Sequence, residues 1–189
     1  MISFNKLGNL GRLGNQMFQY ASLRGIARNR GYDFCIPNHS QVVKDPYGFD
    51  LKIEIFYPFK MSYVLPHNIK LLDRGYAPVA EERHFHFDEI LFNMCPDEIT
   101  LAGFFQSEKY FAHIEDEIRV DFSFKDEILE PYRNSGCIWV EDKPENAELG
   151  LQMGLKSIIM GHDHNAYYRN PSIPRVWKWE HIYNMIELA

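Results

Sequence analysis

Near its start the chain reads KLGNLGRLGNQMFQYASLRGIARNRGYDF, and no other stretch limits its folding as strongly. Gly8, Gly11 and Gly14 recur at every third position and give way to the pair Asn15 and Gln16. Glycine is used where the backbone must turn tightly or where something must touch the main chain. Before this turn, Ile2 to Asn5 reads as a short strand. After it, Gln16 to Arg30 reads as a helix with Met17, Phe18, Ala21, Leu23 and Ile26 on its apolar side. Arg24, Arg28 and Arg30 are then expected on a solvated face, with Gly31 placed to end the helix. The segment DFCIP reads as a second strand closed by Pro37. Strand, glycine turn, helix and strand make a βαβ unit, the opening of a Rossmann-like sheet of the α/β class.

Regularity is weaker from Asn38 to Asp97, which carries Pro46, Pro58, Pro66, Pro78 and Pro96 and reads as short strands and irregular connections. Within it RHFHFDEILF alternates His84, Phe85, His86 and Phe87 as a half-buried strand would. Ile99 to Phe104 reads as a buried strand, and Ser107 as the cap of a helix from Glu108 to about Ile118. Tyr110, Phe111, Ile114 and Ile118 supply its inner face, and Glu115, Asp116 and Glu117 read as a solvated charge run. Pro, Asn, Ser and Gly cluster from Leu129 to Gly136, which predicts a boundary between a region 1–130 and a region 131–189. Beyond it lie a strand at CIWV, a helix begun after Pro144, a strand at KSIIM and the loop GHDHN. A short strand and a helix with Ile182, Tyr183 and Ile186 inward close this small strand–helix–strand unit. Trp139, Trp177 and Trp179 are expected as core or interface anchors.

With 46% hydrophobic and 15% aromatic residues the chain can bury a core, and a net charge of −6 argues against a general nucleic-acid binder. There is no cationic and apolar leader and no apolar run near the ~20 residues that span a bilayer, so a cytoplasmic protein without a transmembrane segment is expected. Cys35, Cys95 and Cys137 are far apart and odd in number, which suits buried free thiols in a reducing compartment better than a zinc site. His162, Asp163 and His164 in GHDHN read as turn residues before they read as metal ligands.

GRLGNQMFQYASLRGIA, Gly11 to Ala27, resembles the opening signature of the α-1,2-fucosyltransferases, glycosyltransferase family 11. LAGFFQSEKYF, Leu101 to Phe111, resembles the same family's aromatic-Phe-Gln segment, in the same order. The resemblance implies a partial GT-B-type scaffold that transfers fucose from GDP-fucose to the 2-hydroxyl of a galactoside, with no metal or other cofactor. It places Gly11, Arg12, Gly14, Asn15 and Gln16 at the substrate: the glycines by permitting close approach, the amides and Arg12 by contacting sugar or phosphate. The family's His-x-Arg-Arg-Gly-Asp-type motif is absent here. The resemblance therefore implies a fucosyltransferase-related protein that is weakly active, inactive or completed by another chain, its partners being a nucleotide sugar and a glycan acceptor.

CIWVEDKPENAELGLQMGLKSIIMGHDHN, Cys137 to Asn165, resembles the end of haloacid-dehalogenase-like phosphohydrolases. That resemblance implies Mg²⁺ ligands at Glu141 and Asp142 if this unit is functional. Two other readings stand beside the transferase: a Mg²⁺-dependent phosphohydrolase, and a non-catalytic binding or assembly module that forms a homo-oligomer or takes a completing chain.

Overall fold

A computed structural model describes residues 1–39, 42–44, 48 and 50–187. The chain divides into two units, Met1–Lys125 and Asp126–Ala189. Both are mixed α/β, built on parallel sheets.

In the first unit β1 (Ile2–Ser3) leads through the glycine turn into α1 (Leu13–Arg30) and back to β2 (Phe34–Cys35). A hairpin of β3 (Val42–Lys44) and β4 (Asp50–Lys52) follows. Then come β5 (Val79–Glu81), α2 (Glu89–Met94) and β6 (Thr100–Ala102). The sheet order is β2-β1-β6-β5, with every pairing parallel. A parallel sheet needs apolar cover, and Ile2, Phe4, Leu23, Ile26, Phe34 and Leu101 supply its buried core.

Local chemistry explains where α1 stops. Gly31 takes a φ of 68°, donates its N–H to Arg28 O at 3.2 Å, and lets Tyr32 N–H reach Ala27 O at 2.9 Å. This paired closure of the last carbonyls needs a left-handed residue, which glycine adopts without a Cβ penalty. At α2 the cap is a side chain: Asp88 accepts from Leu91 N–H at 3.0 Å.

The solvated face expected on α1 is corrected at Arg24, which is buried. Its guanidinium lies 2.5 Å from Asp121 and 2.7 Å from Glu117, and Tyr20 O–H donates to the same Asp121 at 2.6 Å. Arg28 also pairs with Glu117, so the expected solvated run 115–117 is tied to α1 at that residue. The cause is the cover on that face, where the Phe34 and Tyr63 rings lie 5.0 Å and 5.3 Å from the guanidinium and Glu117 and Asp121 pair with it. Burial lifts the Tyr20 phenol well above its ordinary pKa, Asp121 adding to burial and Arg24 opposing it.

The single helix expected from Glu108 is instead two 3-10 turns, Glu108–Tyr110 and Ala112–Ile114, followed by α3 (Glu115–Asp121). Ser107 makes no capping bond and Phe111 leaves helical space at φ −133°. Tyr110 is drawn into the core against Phe87 and Phe105, and its carbonyl oxygen lies 1.9 Å from where a Cβ on Gly25 would sit. Only glycine allows that approach. The strand expected at 84–87 is also absent, since His84 and His86 fold into a loop with their rings stacked 3.6 Å apart.

The second unit runs α4 (Asp126–Leu129), β7 (Ile138–Glu141), α5 (Pro144–Gln152), β8 (Lys156–Met160), β9 (Arg175–Val176) and α6 (Trp179–Glu187). Its parallel order is β7-β8-β9. Strand alternation puts Ile158 and Met160 with Ile182 of α6, and Ile159 with Ala147 of α5. Ile182 is inward as expected, but Tyr183 and Ile186 are exposed. Trp177 and Trp179, 59% and 71% exposed, are not core anchors. Cys35 and Cys95 are buried free thiols, the latter pushed by burial to a pKa of about 11, whereas Cys137 is exposed. No described helix is long and apolar enough to cross a membrane.

Candidate functional site

The three glycines of the turn have three different reasons to exist. Gly8 has a φ of +90° and packs so closely on Ile53 that a Cβ would lie 2.8 Å from its backbone nitrogen. Gly11 has a φ of +83° and is covered by the Asn15 side chain, 2.3 Å from a notional Cβ. Both are demanded by the fold. Gly14 is not: its φ lies outside the left-handed range, and nothing stands within 4 Å of where its Cβ would be. The second residue of α1 is thus left bare toward open space.

The neighbouring amides divide the labour. Gln16 is buried, donating to Gly11 O at 3.3 Å and Lys52 O at 2.9 Å while accepting from Glu54 N–H at 2.6 Å. Its amide is spent on holding the turn against residues 52–54. Asn15 is half-buried and accepts from Gln106 Nε2 at 2.7 Å across 91 residues of sequence. Its own Nδ2 keeps no partner among the described residues. The two segments picked out in the sequence, 11–27 and 101–111, therefore meet at the carboxyl ends of the adjacent parallel strands β1 and β6. In open α/β sheets that end is where ligands bind.

Three residues missed in the sequence brace this junction. Gln19, fully buried, donates to Leu10 O at 3.1 Å and Gly103 O at 2.9 Å, and its Oε1 is buried without a partner among the described residues. Glu82 accepts from Phe104 N–H at 2.8 Å and Phe105 N–H at 3.0 Å. Ser22 donates to Phe105 O at 3.2 Å. Gln19 and Ser22 lie inside the opening signature and share a helical face with Asn15, a spacing that could have pointed to them; nothing in sequence pointed to Glu82.

Arg12 stands at the start of α1, exposed, with Nη1 3.2 Å from Asp50 O and 3.7 Å from the Glu54 carboxylate. It makes no capping bond, and the first turn of α1 holds no acid, so the positive helix end is uncompensated from within. Beside it opens a cleft of about 500 Å³ whose wall includes Leu13 of α1, His39, Lys52, Glu54, Phe56 and Tyr57.

In the second unit Glu141 and Asp142 lie at the carboxyl end of β7. Glu141 accepts from Asn146 at 3.3 Å, and the Asp142 carboxylate lies 3.5 Å from His164. A Mg²⁺ there would rest on two carboxylates. Among the described residues no group of three or more His, Cys, Asp or Glu comes together to hold a metal, GHDHN included.

Set against known protein families, curated proteins and solved structures, the chain gives no match.

Proposed function

We propose that the first unit is the substrate-facing part of a fucosyltransferase-related protein, with β1, the glycine turn and α1 as the start of a Rossmann-like half that recognises GDP-fucose. The observation that carries this reading is the Asn15–Gln106 hydrogen bond, which joins the two fucosyltransferase-like segments beside the bare Gly14 backbone. Fucosyl transfer breaks the bond from the sugar C1 to the phosphate oxygen and forms one to an acceptor hydroxyl oxygen, whose proton passes to solvent, so negative charge grows on the departing GDP. In this chain Arg12 and the uncapped start of α1 are the positive groups at hand. Asn15 Nδ2 is the free donor for a sugar or phosphate oxygen, and Gly14 leaves room for the ligand against the backbone.

The test is calorimetric titration with GDP-fucose and with GDP. Saturable binding is expected, lost in Asn15→Ala and weakened at least tenfold in Gly14→Ala while that variant melts no lower than the parent chain. An absence of heat up to millimolar ligand, weaker than about −4 kcal/mol, overturns the reading.

A further inference from the structure

The cleft beside α1 differs in chemistry from the glycine turn. Its volume of about 500 Å³ falls within the roughly 300–1,000 Å³ usual for small-molecule sites. One wall is aromatic: Tyr57 is 75% exposed, and Phe56 lies with its ring 5.4 Å from that of His39. The cleft's charged groups are the ammoniums of Lys52 and Lys125 against the single carboxylate of Glu54, in a chain whose net charge is −6. Glu54 also lies 3.7 Å from the Arg12 guanidinium, whose charge opposes its own. Lys52 makes no ion pair among the described residues, and Asp50, the acid two residues before it, is taken by Lys44 at 2.8 Å. An exposed aromatic face beside an uncommitted ammonium binds a flat apolar surface that carries an anion.

We propose that this cleft is the acceptor subsite and that its ligand is an acidic saccharide, a glycan segment bearing a carboxylate. The apolar face of a sugar ring lies on Tyr57 and Phe56, the carboxylate meets Lys52, and Glu54 accepts from a ring hydroxyl. The saccharide class rests on the transferase reading above; the charge preference rests on the cleft alone. Arg12 and Leu13 link the cleft to the glycine turn, so an acceptor seated here lies beside the start of α1.

The test uses trigalacturonate and its methyl ester, which share a shape and differ in charge, titrated into the full chain without nucleotide. The acid is expected to bind at least tenfold more tightly than the ester, with the gap shrinking as salt rises. Lys52→Gln should abolish the gap while leaving ester binding unchanged, and Tyr57→Ala should weaken both ligands. Equal binding of acid and ester, or a gap that survives Lys52→Gln, overturns the proposal. So does competition between GDP and trigalacturonate, which would make the cleft a donor site. If GDP-fucose fails to bind but the acid binds through Lys52, the transferase reading falls and the subsite stands as part of a non-catalytic binding module. If GDP-fucose binds through Asn15 and the acid does not, only the subsite falls.

Discussion

Gln16 and Asn15 are neighbours in one signature, and the structure gives them opposite work, so replacing each by alanine separates a structural role from a ligand-facing one. Gln16→Ala removes three hydrogen bonds to the main chain, to Gly11 O, to Lys52 O and from Glu54 N–H. At about 0.5–1.5 kcal/mol net for each bond the loss is ~1.5–4.5 kcal/mol, with the upper half reached if Glu54 N–H is left dry. That is a large share of the roughly 5–15 kcal/mol that holds an ordinary domain together. Asn15→Ala removes one bond, to the exposed Gln106, and should cost under about 1 kcal/mol. Urea unfolding reads the difference as a shift in midpoint at constant slope. Amide exchange at Glu54 should rise in the Gln16 variant and stay unchanged in the Asn15 variant. Gln16→Glu should be at least as harmful, because a carboxylate oxygen would then face two carbonyl oxygens. Equal costs for Gln16→Ala and Asn15→Ala, or an unprotected Glu54 amide in the parent chain, would refute the division of roles.

Arg24→Ala leaves the buried Asp121 carboxylate without its cation and is expected to cost about 3–5 kcal/mol, against under about 1 kcal/mol for the exposed Arg28→Ala, both read by urea unfolding. A double variant that also carries Asp121→Asn should recover part of the Arg24 loss. Asp88 provides the pH test. Burial works against its charge, but Leu91 N–H at 3.0 Å and a two-pronged Arg83 at 2.8 Å outweigh it and hold the carboxyl below its ordinary pKa. Its stabilisation is therefore present above the unfolded value of about 3.9 and is lost as pH falls through the lower folded value. Melting curves from pH 7 down to pH 2 should show the parent chain more stable than Asp88→Asn at neutral pH, with the gap closing only below about pH 4.

Elements with local causes could be read from the residues alone. The path from β1 through the glycine turn, α1 and the Gly31 stop to β2 was legible, because positive φ and helix closure depend on residues within a few positions. Pro144 at the head of α5 and the apolar run of β8 were legible for the same reason. The sequence also marked the two segments, 11–27 and 101–111, that meet at the candidate site. What those residues face depends on packing between distant parts of the chain. Arg24 sat at a position expected to face solvent, but Phe34, Tyr63, Glu117 and Asp121 cover it, and a lone helix carries no record of what packs against each of its sides. Gln16 and Asn15 look alike in a sequence; their roles parted because residues 52–54 pass one of them and Gln106 meets the other. The helix expected from Glu108 broke because the core took Tyr110, and the gap at Gly25 that admits it lies 85 positions earlier in the chain. Hydrophobic periodicity records one burying surface per element, whereas packing here applies two to α1, and that second surface is set by contacts between residues far apart in sequence.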